Sequence, residues 1–285
     1  MLDRIKTNAK LLFIFTKVNS SFLVLFYRAS REEIIMKKIM SALLATVMVA
    51  AMLVGCGSTE ATNTIKFGTN AEFPPFEFVT ANGAIGEYDG IDMAIAKEIG
   101  AQNGMEAVIE NMEFDSLLIA LQNGQIDATI AGMTVTEDRA ASVDFSIPYY
   151  EATQVMVVDQ NSDIKSAADM ADKKIVVIQG YTGETCVQEM GYAYEAFKKG
   201  TEAILELNNG KCDVVVIDSA TAQKYIKDNA NLKIVEDAAA FESEQYAIAV
   251  KKGNTELLNK INASVEKMLA DGTISEFAAK YTEAE

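Results

Sequence analysis

Histidine is absent from this chain of 285 residues, and that absence removes whole classes of chemistry. No Ser-His-Asp or Cys-His catalytic arrangement can be assembled. The three cysteines, Cys56, Cys186 and Cys212, form no Cys-x-x-Cys pair; without imidazole, a zinc site lacks its usual ligands, and no metal is expected. Basic charge is scarce too. Lys and Arg total 25 against 41 Asp and Glu; eight of the former and three of the latter precede Cys56, so the stretch from Cys56 onward carries 17 against 38, a formal net charge of −21. Such a surface repels nucleic acid and anionic lipid headgroups. The acidic residues are spread along the chain rather than gathered in a tail, as suits a solubilising surface. Arginine is scarcest of all: after Cys56 only Arg139 remains.

The N-terminal region has a different composition. Residues 36–56, MKKIMSALLATVMVAAMLVGC, place two lysines before an apolar run that ends in small residues and a cysteine. This is the layout of a secretory signal, expected over 36–55. Leu53-Val54-Gly55-Cys56 resembles the bacterial lipobox, which implies cleavage before Cys56 and a diacylglycerol on its thiol. The run is shorter than the roughly 20 apolar residues a spanning helix needs. A lipid-anchored protein on the extracytoplasmic face of the cell membrane is therefore expected, with 56–63 as a tether. Residues 1–35 fit no such plan, because their patchy apolar run is broken by Lys17, Asn19, Ser20 and Ser21. They read as a non-native upstream extension, with Met36 as the real start. Outside the cytoplasm a disulfide between Cys186 and Cys212 is permitted; two free thiols are the alternative.

From Cys56 onward there are 230 residues, enough for two small lobes or one large domain. Apolar strand-like runs alternate with helical-period segments, beginning at 65–69, 90–103 and 108–110, an α/β order. A pattern then recurs. In 119–134 (IALQNGQIDATIAGMT) and 204–221 (ILELNNGKCDVVVIDSAT) a leucine-bearing helix ends at Asn-Gly, and an Asp leads into an apolar strand. Asn-Gly suits a left-handed helix C-terminus. Asp127 and Asp213, at equivalent places, are expected to satisfy backbone amides. The repeat predicts two lobes built alike, joined by extended crossings at 151–158 and 243–250. The tail after residue 256 has helical spacing with a break at Asp271-Gly272 and is expected to return to the first lobe. No low-complexity linker separates the lobes.

Arg139, in GMTVTEDRA, has two readings. One is a surface ion pair with Glu137 or Asp138. The other is a clamp on a small carboxylate, for which a planar guanidinium offers two parallel N–H bonds.

The motifs FGTNAEFPPFEF, GIDMAIAKEI, FDSLLIALQNGQIDATIAGMTVTEDRA, DFSIPYY, KKIVVIQGYTGET and KCDVVVIDSATA together, in order and over residues 64–283, resemble the polar amino-acid family of ABC-transporter solute-binding proteins, family 3. These are two-lobed periplasmic receptors for histidine, glutamine, arginine and cystine. The resemblance implies a Venus-flytrap α/β fold with a two-strand hinge, one lobe built from 64–152 and 246–285 and the other from 153–245. It implies Arg139 as bidentate partner of a ligand α-carboxylate, helped by Thr134, its neighbour Gly132 and the Thr182 amide. Asp218 would take the α-ammonium with the Ala131 carbonyl, although an Asp in that position also suits a helix N-cap. Phe73 and Phe114 would flank the ligand side chain. Asn70 stands where histidine and glutamine receptors carry an acid, and Ile178 where glutamine receptors carry lysine; both favour an uncharged polar ligand, while Glu72 and Glu77 leave a basic one open. The expectation is a monomeric carrier without cofactor that closes on an amino acid and delivers it to a membrane permease, rather than an enzyme. An amino-acid sensor for a signalling partner and a cyclohexadienyl-dehydratase-like enzyme are the alternatives.

Overall fold

Residues 63–80 and 87–283 are described in a computed structural model. The expected extension at 1–35, the signal at 36–55 and the lipidation site Cys56 lie outside the described residues. Among the described residues no helix is long and apolar enough to cross a membrane.

Strand β1 (Thr64–Thr69) buries Ile65 and Phe67. Three short strands follow, β2 (Glu72–Phe73), β3 (Glu77–Val79) and β4 (Tyr88–Asp89), paired as a small antiparallel sheet. Helix α1 (Ile91–Gln102) then carries the chain to β5 (Glu106–Asn111), parallel to β1. Helix α2 (Leu117–Gln122) leads to β6 (Ala128–Thr129), parallel to β1 on its other side. Helix α3 (Glu137–Ser142) and strand β7 (Val143–Phe145) complete this pass.

The second sheet is built on β8 (Tyr150–Asp159), β9 (Ile175–Ile178), β10 (Tyr194–Phe197), β11 (Val214–Asp218) and β12 (Leu232–Val235), in the order β10-β9-β11-β8-β12. Every residue of β9 (IVVI) and β11 (VVVID) is buried, the unbroken apolar run of strands covered on both faces. Helices α4 (Thr182–Glu189), α5 (Gly200–Asn208) and α6 (Ser219–Asp228) supply those covers. Strand β13 (Ser243–Tyr246) runs antiparallel to the first half of β8, and β14 (Ala249–Lys251) enters the first sheet between β6 and β7. The fold is thus two α/β lobes joined by two extended strands lying side by side, as the sequence predicts.

The amphipathic tail forms α7 (Thr255–Asp271) and α8 (Thr273–Glu283), separated by Gly272 at φ 86°. Asn254 caps α7, and both helices pack against α1, with Asn103 donating to Ser264 at 3.0 Å. The repeat is equally concrete. Gly124 and Gly210 have φ of 70° and 65°, Asp127 accepts the Lys66 amide at 2.8 Å, and Asp213 accepts that of Lys174 at 2.7 Å. Both aspartates tie adjacent backbone segments together. Cys186 and Cys212 are free thiols, which resolves the pairing left open by their spacing.

Candidate functional site

A narrow cavity of about 10 Å³ lies between the closely apposed lobes at the carboxyl ends of their strands, where open α/β sheets gather ligands. Phe73, Phe114, Ala131, Gly132, Thr134 and Arg139 line it from the first lobe, and Tyr181, Thr182 and Asp218 from the second. Eight of the ten site residues expected from sequence therefore meet in one place. Asn70 and Ile178 do not reach the cavity wall. Ile178 is part of the second-lobe core, 1% exposed. Asn70 sits behind the wall, its amide nitrogen bound to the Met112 carbonyl at 3.0 Å and its oxygen accepting from the Tyr181 hydroxyl at 3.3 Å.

Local sequence fixes Arg139. The Thr136 hydroxyl caps α3 by accepting the Arg139 amide at 3.2 Å. Glu137 and Asp138 suit that helix start. Its guanidinium donates to the Thr134 carbonyl at 2.8 Å and, across the cleft, to the Gly180 carbonyl at 2.9 Å, and lies 5.3 Å from the Phe114 ring centroid. Among the described residues it makes no ion pair, with Glu137, Asp138 or any other carboxylate. Two carbonyl contacts leave part of a five-donor group uncommitted.

Gly132 has φ 53°, and a Cβ there would stand 2.4 Å from the Phe73 ring. Its N–H donates to Asp92 at 2.8 Å. Gly132→Ala therefore combines backbone strain of about 1 kcal/mol with displacement of an aromatic wall; a fall of at least about tenfold in ligand affinity and a lower melting temperature are expected, read by calorimetry and thermal melts.

Asp218 ends β11, 3% exposed. It occupies the N-cap position of α6 but makes no side-chain capping bond, which corrects the capping role that its place before a helix suggests. Its carboxylate turns instead to the Tyr246 hydroxyl and to the Gln154 amide, the latter at 2.9 Å. Gln154 also donates to Thr182 at 3.1 Å. Glu244, on the hinge strand β13, accepts from the hydroxyls of Thr134 and Thr182, each at 2.7 Å, and so ties the two lobes together. Burial and the Glu244 charge push Asp218 up to about 7, against the lowering pull of Tyr246 and Gln154. Burial lowers Arg139 from its ordinary value, opposed by the charges of Glu244 and Asp218.

Gln154, Glu244, Tyr246 and Tyr181 were not found by sequence reasoning. A signal existed for Gln154: it shares the buried face of β8 with Ala152 and Met156, where an amide has no apolar reason to be. Glu72 pairs with Lys199 across the cleft at 2.9 Å. Glu77 is fully buried beneath the site rather than in it. Neither of its oxygens meets an N–H or O–H donor; burial and the adjoining Asp92 raise it well above the carboxylate range, so it carries a proton toward Asp92, itself pushed up to about 6. A raised folded-state value stabilises the fold below the unfolded value, and that stability is lost as pH rises through the folded value. Glu77→Gln should remove this loss, giving a melting temperature less sensitive to pH between 5 and 8 than that of the unaltered protein. Among the described residues no group of three or more Cys, Asp or Glu is placed to hold a metal ion.

Two lobes on a two-strand hinge, with cation, anion and aromatic walls facing one cleft, are the architecture of a solute-binding protein. Residues 65–284 match bacterial extracellular solute-binding proteins, family 3, and the chain belongs to that family. It is 33% identical over 270 residues to the ABC transporter glutamine-binding protein GlnH of Bacillus subtilis (strain 168), covering 86% of this chain and 97% of that one. It is 30% identical over 257 residues to the arginine-binding extracellular protein ArtP of the same organism, covering 86% and 98%. A solved structure of an ancestral arginine-binding protein bound to glutamine superposes with a TM-score of 0.71 at 44% identity, covering 77% of this chain and 97% of that one.

Proposed function

We propose that this protein captures a free amino acid between its lobes and delivers it to an ABC importer. One observation carries the reading: Arg139 and Asp218 line the same small cavity, and neither has an ion-pair partner among the described residues. A zwitterion supplies both missing charges at once. The α-carboxylate goes to the free N–H fork of Arg139, with the Thr134 backbone amide and the Thr182 amide at the start of α4, where a helix N-terminus favours an anion. The α-ammonium goes to Asp218 and the Ala131 carbonyl, and the side chain lies along Phe73 and Phe114. Ligand contacts from both lobes favour the closed arrangement over the open one, which is the basis of hinge closure.

The names of the relatives support transport of amino acids rather than catalysis. Glu72, the acid a dehydratase-like reaction would recruit, is engaged by Lys199. The lobe boundaries proposed are 64–152 with 246–285, and 153–245, supported by the crossings at β8 and β13. A lipid on Cys56, retention at the extracytoplasmic face and a monomeric state complete the proposal; they rest on the sequence.

The test is calorimetric titration of the purified protein, unfolded and refolded to strip carried-over ligand, against the common amino acids and cystine. Tight binding of one or a few is expected, and silence across the panel from a folded sample would overturn the reading.

A further inference from the structure

Beneath the ligand loop lies a pair of acids that the function above does not use. We infer that Glu77 and Asp92 share one proton and act together as positioning residues, holding the loop 131–134 in its ligand-accepting geometry and tying it to the hinge; the inference rests on the receptor reading. Backbone pairing brings the two acids together. At the start of α1 the Ile91 and Asp92 amides donate to the Pro75 and Phe76 carbonyls at 3.1 and 2.9 Å, which sets Asp92 against the residue that follows Phe76. Both side chains are fully buried and within hydrogen-bonding reach of each other, and neither has an ion-pair partner among the described residues. Both Glu77 oxygens and Asp92 Oδ1 meet no N–H or O–H donor. Buried acceptors without donors are costly, and two adjacent buried carboxylates do not both stay ionised. A proton between them satisfies Asp92 Oδ1 and removes one charge.

Asp92 is the ionised member. It lies in the first turn of α1, where the helix dipole favours an anion, and its Oδ2 accepts from the Gly132 amide and the Tyr149 hydroxyl, each at 2.8 Å. A Glu77 proton on Oδ1 fixes the plane of the Asp92 carboxylate and so aims Oδ2 at those two donors. The Gly132 bond reaches the site, because the loop it holds carries the Ala131 carbonyl and the Thr134 amide, assigned above to the ammonium and the carboxylate, and the Thr134 carbonyl that receives Arg139. The Tyr149 bond reaches the hinge. Tyr149 directly precedes β8, and its amide donates at 2.9 Å to Tyr246, the last residue of β13, whose hydroxyl donates to Asp218. The titratable groups facing the pair are Tyr149, Tyr181 and Asp218; none is a cation, so a proton is left to neutralise the second acid.

The experiment is calorimetric titration of the unaltered protein, Glu77→Gln, Glu77→Leu and Tyr149→Phe against the common amino acids and cystine, with a melting curve on each. Glutamine keeps an N–H donor toward Asp92, so Glu77→Gln should hold its affinity within about threefold. Glu77→Leu supplies no donor and Tyr149→Phe removes one hydroxyl; each should bind at least about tenfold more weakly. Affinity is read well below each melting temperature, where a merely structural role would leave it unmoved. The shared proton is read separately: at pH about 7.5 the infrared difference between the unaltered protein and Glu77→Gln should contain the carbonyl band of one protonated carboxylic acid. Should Glu77→Leu fail to fold, Tyr149→Phe and the spectrum decide alone. Affinity within about threefold in the folded donor-lacking variants, or a difference spectrum without that band, overturns the inference and leaves the receptor reading standing. Silence of the folded, unaltered protein across the panel overturns both.

Discussion

Arg139→Ala lowers amino-acid affinity by about a thousandfold and leaves the fold intact. Two charge-assisted hydrogen bonds to a carboxylate contribute about 1.5–3 kcal/mol each, and truncating one member of a desolvated charge pair costs about 2–5 kcal/mol in binding. At about 1.4 kcal/mol per decade, a loss near 4 kcal/mol is three decades. Stability should scarcely change, because the guanidinium supports no ion pair among the described residues and donates only to the Thr134 and Gly180 carbonyls. Arg139→Lys separates geometry from charge. A point charge retains attraction but not the parallel fork, so an intermediate loss of about one to two decades is expected. Calorimetry with melting curves on all three proteins decides the matter: affinity unchanged in the alanine variant removes Arg139 from the carboxylate site.

The fold was legible in the sequence where its cause is local. Period-two and period-3.6 runs, Asn-Gly at two helix ends and Gly272 in the tail each specify backbone geometry through neighbouring residues alone. Arg139 was legible by rarity and by its place in GMTVTEDRA beside two threonines. The Asp218 role was ambiguous because a strand-to-helix junction offers an aspartate two uses, and only the positions of Tyr246 and Gln154, 28 and 64 residues away, show which one its carboxylate takes. Glu244 was illegible for the same reason: its partners Thr134 and Thr182 lie 110 and 62 residues distant and on different lobes. That Asn70 and Glu77 lie off the cavity wall was not legible, because bonds to Met112 and Tyr181, 42 and 111 residues away, hold Asn70 behind it, and Glu77 is buried in the core. Tyr181 carries no pattern at all; it meets Phe73 and Phe114 only in the fold.

Asp218 makes binding depend on pH in a way that stability does not. Its carboxyl is pushed up to about 7 by burial and by Glu244, and an arriving ammonium favours the ionised form, so binding releases a proton and affinity rises with pH. From pH 8 to pH 5 the affinity for an amino acid should fall about a hundredfold, one decade per unit below the midpoint. The sign for the unliganded fold is opposite. Asp218 contributes stability below its unfolded value, and that contribution is lost as pH rises through about 7, so the protein becomes less stable on its own as it becomes a better binder. Asp218→Asn should lower affinity for alanine or serine by about a hundredfold at pH 8, through loss of a buried counter-charge, while propionate or lactate, which lack the ammonium, should change by less than about threefold. The same variant should lose the pH slope. Glu244→Gln removes a charge that raises Asp218, so its affinity midpoint should move to lower pH with the slope retained. Equal losses for amino acids and their deaminated analogues, or a flat pH profile in the unaltered protein, would detach Asp218 from the ammonium and leave it as a structural acid bound to Tyr246 and Gln154.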